Sequence, residues 1–391
     1  MKILHVVSST NPDDGGVIES IKLKQSIYKK LKIKCEILCL DDNSDKWLKD
    51  KRLPTVHCAG SKKMAVNKYI NLFFWLDKYI RNYDLVVCDG LWQFTNFAVW
   101  KTATKHNVKY QVIVHGMLDP WFNKYIFKYI KKLIFWQLIQ HRVLRDANLV
   151  LFTSKEEKNL SKKSKFYPYN FKQGILSLPI DKSPYIFYKK KNSFINKFPK
   201  LKKKKIILYL GRINKKKGLD LLIKAFDTVI KHNNTKKEIH LVIAGPYEKK
   251  YYIKINNLIK DLKLDEYITF TGPLYDKLKW DAYNSCQIFC LPTHQENFGI
   301  TIAESLSIGK PVITTNKTNI WKILNNYNAA FISNDDYRGL VKSLTKWNLL
   351  NRKEYNEMSK NSFQCFKENF YKDKVINDFK NILTNYVDKI I

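Results

Sequence analysis

Short apolar runs with strand character alternate with helix-period segments from one end of the chain to the other. This alternation is typical of parallel sheets covered by helices, because parallel neighbours are joined by helical crossovers. The first half has predicted strands at residues 3–7, 35–40, 85–88, 111–114 and 149–152, and the second half at 206–210, 240–244, 268–270, 288–291 and 311–315. The pattern predicts an α/β fold.

The alternation lapses at residues 183–205, in a segment rich in Lys and Asn that contains Pro184 and Pro199. Such composition marks a linker or loop. A chain of 391 residues is also longer than one hydrophobic core usually supports. We therefore predict domains at 1–183 and 184–372, followed by a C-terminal helix at 373–391.

The composition indicates a folded protein, since 45% of the residues are hydrophobic and 14% aromatic. No apolar run approaches the length of a membrane span, and residues 1–7 lack the architecture of a signal peptide. The seven cysteines are scattered and lack the paired spacing of a zinc site, so we interpret them as reduced thiols. A cytoplasmic protein is expected.

The formal charge of +35 can attract nucleic acid, anionic lipid or a phosphate-bearing substrate. The excess is mostly Lys, accompanied by abundant Asn and Ile, which an AT-rich genome produces without selection for binding. Both interpretations stay open. A basic nucleic-acid-binding protein is the alternative from a different functional class, but the chain has no zinc-finger or aromatic RNA-binding signature, so we expect no nucleic-acid partner.

Two glutamates follow the predicted strand at 288–291. Seven residues separate Glu296, in a loop, from Glu304, which lies about a turn into a helix. Open α/β sheets bind ligands beyond the carboxyl ends of their strands, and a helix beginning near Gly299 would direct N–H groups towards an anion there. Glu296 can then accept hydrogen bonds from sugar hydroxyls, and Glu304 from ribose. The alternative is a pair of solvated helix carboxylates.

A cationic loop follows the predicted strand at 206–210. Gly211 allows a close turn, and Arg212 and Lys217 precede Gly218 and a predicted helix. Guanidinium and ammonium groups at one strand end suit a departing diphosphate, because both stabilise growing negative charge. Without the glutamates, the lysines at 215–217 would read as a solvated charge run.

The first half has two weaker signals at predicted strand ends. Gly15 and Gly16 close a polar loop after residues 3–7 and would let the backbone approach a ligand, although paired glycines are also ordinary in loops. His115 follows residues 111–114 and can present an imidazole to a sugar, although a lone histidine is more often structural.

At these residues the chain resembles the retaining glycosyltransferases of family 4, which have the GT-B fold. The resemblance spans nearly the whole chain, and the glutamate pair is similar to the family's EX7E motif. It is carried by the segments VHGMLDPW, LYLGRINKKKGLDLLIKAF, LVIAGPYEKKY, ITFTGPLYDKLKWDAY and LPTHQENFGITIAESLSIGKPVITT. It implies two Rossmann-like domains facing each other across a cleft, with the acceptor-side domain first and the nucleotide-sugar donor domain second.

The resemblance also implies roles for individual residues. Those implied to act in catalysis are His115, Arg212, Lys217 and Glu296. Those implied to bind the donor are grouped by the part of the donor that they contact. At the diphosphate these are Gly15, Gly16, Arg212 and Lys217, with Asn297, Phe298, Gly299 and Ile300 around the phosphates. Near the base they are Gly245, Pro246, Pro273 and Leu274, while Glu296 is implied to contact the sugar and Glu304 the ribose. Two departures concern interdomain details: Lys317, Thr318, Asn319 and Ile320 replace a turn common in relatives, and Leu178 and Pro179 replace Asn and Gly.

The reaction implied by the resemblance moves a sugar from a UDP or GDP donor to an acceptor hydroxyl with retention of anomeric configuration. The expected acceptor is a glycan or lipid-linked molecule in cell-surface polysaccharide or glycolipid synthesis. We expect no metal or other cofactor, because cationic side chains and helix N–H groups would do the work of a divalent cation. The alternative enzyme is a GT-B-like nucleotide-sugar epimerase, which releases no glycoside.

Three helical segments have further predicted contacts. The C-terminal helix is expected to pack on the first domain through Val375, Phe379, Ile382, Leu383, Tyr386 and Ile390. Two basic, aromatic segments predict docking of the first domain on the cytoplasmic face of an anionic membrane. They are 122–144, with Ile126, Tyr129, Ile130, Leu133, Ile134, Trp136 and Lys124, Lys128, Lys131, Lys132, and 64–80, with Leu72, Phe73, Phe74, Trp75 and Lys68, Lys78. The alternative is that these apolar residues face the core.

Overall fold

The computed structural model describes residues 1–60, 67–123, 126–167, 170–184, 192–232 and 238–386. The chain divides into two compact units: unit 1 comprises Met1–Pro179 and Lys372–Ile391, and unit 2 comprises Ile180–Tyr371. The division falls at Pro179, not at residue 183 as predicted. The reason is that the backbone N–H of Ile180 already donates to the carbonyl of Phe370, 2.9 Å away, within unit 2.

Unit 1 is built on a parallel sheet with the strand order β3, β2, β1, β4, β5, β6, β7. The strands are β1 (Lys2–Val6), β2 (Lys34–Cys39), β3 (Thr55–Cys58), β4 (Leu85–Asp89), β5 (Tyr110–Ile113), β6 (Leu149–Phe152) and β7 (Gln173–Ile175). The helices are α1 (Gly16–Lys30), α2 (Asn67–Tyr79), α3 (Phe94–His106), α4 (Ile126–Phe135), α5 (His141–Arg145) and α6 (Lys155–Ser161), with a π-helical turn at Trp136–Gln140 between α4 and α5. The five predicted strands are confirmed; β3 and β7, the edge strands, were not predicted.

Unit 2 has a parallel sheet with the order β10, β9, β8, β11, β12, β13. Its strands are β8 (Lys205–Leu210), β9 (Ile239–Ala244), β10 (Ile268–Gly272), β11 (Ile288–Leu291), β12 (Val312–Thr315) and β13 (Ala330–Ser333). Its helices are α7 (Ser193–Lys197), α8 (Leu219–His232), α9 (Lys249–Asp261), α10 (Asp276–Ser285), α11 (Ile300–Ser307), α12 (Trp321–Asn326), α13 (Tyr337–Asn348) and α14 (Arg352–Asn369). The five strands predicted here are also confirmed, whereas the edge strand β13 was not predicted.

Both sheets are doubly wound. In each, the first strand lies in the middle, the second and third extend to one side, and the fourth begins the other side. The direction of winding therefore reverses between β1 and β4 in unit 1 and between β8 and β11 in unit 2. Ligands of open α/β sheets bind outside the carboxyl ends of the strands at this switch point.

The last helix, α15 (Lys372–Tyr386), packs on unit 1. Val375, Phe379 and Leu383 are buried in a cluster with Ile3 of β1 and Tyr28 of α1. The rings of Tyr28 and Phe379 meet edge to face, with centroids 5.6 Å apart. Ile390, also predicted in this contact, lies outside the described residues. No helix of the described chain is both long and apolar enough to cross a membrane.

Candidate active site

The cationic loop of unit 2 is held against the segment that follows β11. Gly218 adopts a left-handed conformation with φ of 65°, and a Cβ atom there would lie 2.0 Å from the carbonyl oxygen of Pro292. Only glycine therefore allows this approach. The carbonyl of Lys216 accepts hydrogen bonds from the N–H of His294 at 2.8 Å and from the hydroxyl of Thr293 at 3.1 Å. These contacts place Lys217 beside the loop after β11.

The structure brings together two of the predicted catalytic residues. The Lys217 ammonium donates to Oε2 of Glu296, and the two side chains are 12% and 15% exposed, respectively. Burial alone would raise the pKa of Glu296, but the charges of Lys217 and Lys216 and the hydrogen bonds to its carboxylate hold that pKa below its ordinary value. Glu296 is thus an anion at neutral pH, and it is reachable by a ligand.

The backbone of Glu296 is fixed by the segment after β12. Its N–H donates to the carbonyl of Lys317, and its carbonyl accepts from the N–H of Asn319, both at 2.9 Å. The Asn319 side-chain amide also donates to Oδ1 of Asn297 at 3.0 Å. Lys317 and Asn319 belong to the four residues that depart from the turn common in relatives. In this chain they therefore position the glutamate loop, a role that was not predicted.

Glu304 lies on α11, which begins directly after Gly299. Its Oε1 accepts from the Lys279 ammonium at 2.6 Å and its Oε2 from the Tyr283 hydroxyl at 3.0 Å. Burial raises the pKa of Tyr283 well above its ordinary value, as does the neighbouring Glu304 charge, so the hydroxyl stays protonated and can donate. Each carboxylate oxygen keeps a further acceptor position for a ligand. Lys279 and Tyr283, both on α10, were not predicted.

The remaining predicted residues of unit 2 lie at the same edge of the sheet. Gly245 follows β9 with φ of 140°, and a Cβ atom there would lie 2.0 Å from the carbonyl oxygen of Gly211. The loop after β8 and the turn after β9 are thus in direct contact. At this edge, Arg212, Pro246 and Pro273 are exposed, Leu274, Phe298 and Gly299 are buried, and Asn297 and Ile300 are half-buried.

The predicted residues of unit 1 lie at the carboxyl edge of its own sheet. Gly15 has φ of 115° at the point where α1 begins with Gly16, and His115 has φ of 51° after β5. The side chain of His115 bonds through Nε2 to Oδ1 of Asp89 at 2.9 Å, and the N–H of Gly116 donates to the carboxylate of Glu157. His115 is thus tied to its own unit by a buried carboxylate.

Asp89 is the centre of a buried polar cluster that was not predicted. Oδ2 of Asp89 bonds to Nδ1 of His5 at 2.5 Å, and the Lys24 ammonium lies 4.0 Å from Oδ1. Burial alone would raise the pKa of Asp89, but the neighbouring His5, His115 and Lys24 hold it well below its ordinary value. Burial lowers the pKa of Lys24, while Asp89 opposes that shift. Two features of the sequence could have indicated this cluster: His5 lies inside the apolar strand β1, and Asp89 ends the apolar strand β4.

Comparisons with known proteins agree with this geometry. Residues 190–364 match the family model "Glycosyl transferases group 1". The chain is 22% identical over 393 residues to the O-antigen biosynthesis glycosyltransferase WclY of Escherichia coli, with all of both chains covered. It is 30% identical over 115 residues to mannosylfructose-phosphate synthase of Agrobacterium fabrum, which covers 28% of this chain and 25% of that protein's length.

Among solved structures, the chain is similar to Anabaena HepE in complex with UDP and glucose. The TM-score is 0.78 at 15% identity, with 98% of this chain and 100% of that chain covered. The predicted fold class, GT-B with two Rossmann-like α/β domains, is confirmed. Every unit 2 residue of the candidate site lies within residues 190–364, the part of the chain that matches the group 1 model.

Proposed function

We propose that the protein is a retaining glycosyltransferase that moves a sugar from a nucleoside-diphosphate donor to an acceptor hydroxyl. The observation that carries the proposal is the ion pair of Lys217 and Glu296 at the switch point between β8 and β11, inside the part of the chain that matches the group 1 model. The two side chains are in contact, so the Lys217 ammonium could bind a diphosphate while the adjacent Glu296 carboxylate accepts hydrogen bonds from sugar hydroxyls.

The ion pair would exchange its partners when a donor binds. In the structure, Lys217 and Glu296 neutralise each other. A donor diphosphate would draw the Lys217 ammonium away, with Arg212 and the first N–H groups of α11 completing its contacts. Glu296 would then accept hydrogen bonds from the sugar, while its backbone stays fixed by Lys317 and Asn319.

The chemistry needs stabilisation of the leaving group. The bond between the anomeric carbon and the diphosphate oxygen breaks, and negative charge grows on the diphosphate. Lys217 and Arg212 follow the carboxyl end of β8. If the diphosphate binds there as proposed, they would stabilise the transition state more than the ground state. The oxygen of the acceptor hydroxyl then bonds to the anomeric carbon on the face that the diphosphate leaves, and its proton passes to the departing diphosphate. His115 would contact the donor sugar from unit 1.

The comparisons support a donor class and an acceptor class. The HepE structure holds UDP and glucose, which favours a UDP-sugar donor here, with GDP as the alternative base. WclY is named for O-antigen biosynthesis, which supports a cell-surface glycan or lipid-linked acceptor. We propose that the enzyme works in the cytoplasm, peripherally on the cytoplasmic face of an anionic membrane, where a lipid-linked acceptor would be presented.

A donor screen tests the proposed function. Purified protein is incubated with UDP- and GDP-sugars, with and without an extract of lipid-linked glycans, and release of nucleoside diphosphate is measured. We expect release from one donor class, stimulated by the extract, and a glycoside whose anomeric configuration by NMR matches that of the donor. Inverted configuration would contradict retention. An altered nucleotide sugar formed from donor alone would identify an epimerase, and no reaction with any donor would contradict the proposal.

A further inference from the structure

The outward surface of α4 and the turn after it is apolar. Five side chains there are between 40% and 80% exposed: Phe127, Ile130, Leu133, Ile134 and Leu138. We call these five residues the α4 patch. A surface helix ordinarily places its apolar residues against the core and its polar residues in water. Helix α4 departs from this rule because it also leaves apolar side chains in water, and an exposed apolar patch of this kind marks an interaction site.

The opposite side of the helix is already anchored to unit 1. Trp136 is buried, and its ring centroid lies 5.7 Å from that of Phe166. Tyr129 packs on the same phenylalanine at 5.5 Å. The Lys132 ammonium lies 4.8 Å from the ring centroid of Trp92, so this lysine points towards the unit and not into water. The helix therefore cannot turn its α4 patch inwards without losing these contacts.

The charged residues in the sequence segment that contains the α4 patch have one sign. Between Asp119 and Asp146 the sequence contains no acidic residue, but it has six basic ones: Lys124, Lys128, Lys131, Lys132, Arg142 and Arg145. Lys131 and Arg142 are exposed, whereas Lys124 lies outside the described residues. An apolar helix face flanked by Lys and Arg is the pattern of helices that lie in the plane of an anionic lipid interface.

The second segment expected at a membrane, residues 64–80, packs differently from α4. In α2, Leu72 and Leu76 are buried, and Phe73 and Trp75 pack against the core of unit 1. Ile70 and Phe74 are exposed, at 49% and 70%. Residues 64–66 lie outside the described chain. This helix mainly follows the core-facing alternative, so the structure separates two segments that looked alike in sequence.

We propose that the α4 patch is the surface by which unit 1 inserts into the interface of an anionic bilayer. The proposal deepens the peripheral membrane association proposed above by assigning it to particular side chains. A second copy of this chain is a poorer occupant, because pairing two such faces would oppose two clusters of basic residues. Anionic headgroups instead complement Lys131 and Arg142 while the acyl region takes up the five apolar side chains.

Vesicle co-sedimentation of the full chain tests the proposal. The vesicles are phosphatidylcholine alone or phosphatidylcholine with a third of phosphatidylglycerol, at low and high salt. The test variant is Phe127→Gln with Ile134→Gln. The matched control is Ile253→Gln with Leu349→Gln, which alters apolar residues of unit 2 that are 51% and 71% exposed. Circular dichroism and thermal melting confirm that both variants fold, and donor turnover in vesicle-free buffer is measured in parallel.

We expect the unaltered protein and the control to bind the anionic vesicles at low salt, and the test variant to bind at least tenfold more weakly. Turnover without vesicles should be equal in all three. No binding by the unaltered protein would overturn the proposal. Equal binding by the test variant would also overturn it, because the attraction between protein and vesicle would then come from charged residues outside the α4 patch. Loss of a dimer in the test variant by analytical ultracentrifugation would assign the α4 patch to self-association. Absent turnover with intact, patch-dependent binding would contradict only the proposed reaction.

Discussion

The carboxyl edges of the two sheets hold their charged residues in different ways. In unit 2, Glu296 and Lys217 are partly reached by water and neutralise each other. In unit 1, Asp89 is inaccessible, and His5, His115 and Lys24 surround it. A partly exposed pair can change partners at low cost, whereas a buried charge that loses its partners is strongly destabilising. From this difference we propose that ligand exchange takes place in unit 2, whereas the buried carboxylate of unit 1 gives His115 a rigid support.

The largest effect should come from removing the buried charge of unit 1. We expect Asp89→Asn to lower the free energy of unfolding by about 3–5 kcal/mol, because it leaves a buried lysine and two histidines without their carboxylate. Urea denaturation measures this value. The control, Asp378→Asn on α15, removes a carboxylate that is 41% exposed and should change stability by less than about 0.5 kcal/mol. An Asp89→Asn protein of normal stability would break the comparison.

Next in size is the loss of turnover when the unit 2 pair is broken. Glu296→Gln and Lys217→Ala should each slow transfer by roughly a hundredfold, about 3 kcal/mol of transition-state stabilisation, with little change in melting temperature. Initial rates at saturating donor measure this. The matched controls are Glu266→Gln and Lys260→Ala, exposed residues near the amino end of β10. Near-normal rates in both test variants would remove Glu296 and Lys217 from the site.

The two units should also differ in their response to acid. Burial, with Lys200 and Lys204 nearby, lowers the pKa of His240 in unit 2 to about 4. The unfolded chain would take up this proton near pH 6.5, so the His240 contribution to stability is complete above that pH and is lost as the pH falls towards 4. The pKa of Asp89 in unit 1 is also lowered. An ordinary aspartate has a pKa near 4, so the stability that Asp89 adds is complete above that pH and is lost only as the pH falls below it.

Hydrogen exchange measured by mass spectrometry between pH 7 and pH 4.5 resolves the two units. We expect protection to fall first in β9 and β10 of unit 2, by up to about 2 kcal/mol, while β1 and β4 keep theirs. His240→Gln should flatten the response of unit 2. Equal loss in the two sheets would show that His240 does not set the acid sensitivity.

The smallest effect concerns divalent metal ions. If the cations of unit 2 stabilise the leaving diphosphate, millimolar EDTA should leave turnover within about twofold, and added Mg²⁺ or Mn²⁺ should not restore the Lys217→Ala variant. Initial rates with and without chelator measure this. Complete inhibition by EDTA, reversed by one of these ions, would contradict the expectation that the enzyme needs no metal.

Much of the fold was predictable because most residues of the central strands are apolar. Strands such as β9 are buried at every residue and stand out in the sequence. The edge strands β3, β7 and β13 did not stand out, because none of their residues is fully buried and each strand has only three or four residues. The helix α4 was ambiguous for a related reason: it is apolar and basic on several sides, and the side that packs depends on Phe166 and Trp92, distant in the chain.

The candidate site was predictable where its residues are close in sequence. Glu296, Gly299 and Glu304 share one loop and helix, so their spacing carried the signal. The partners of these residues were not predictable, because Lys279 reaches Glu304 only through the packing of α10 on α11. Likewise, His5 and Asp89 are 84 residues apart and meet only because β1 and β4 are neighbours in the sheet.

The position of α15 has a consequence for how the protein is made. Translation completes all of unit 2, Ile180–Tyr371, before it reaches the helix whose Val375, Phe379 and Leu383 finish the core of unit 1. Domains generally fold as they emerge from the ribosome, first part first. Here the first part to emerge is the last to be completed, so a nascent chain carries an uncovered apolar face on unit 1 until the residues of α15 have been added. A premature stop codon shortly before residue 372 would therefore spare unit 2 and leave unit 1 open to proteolysis.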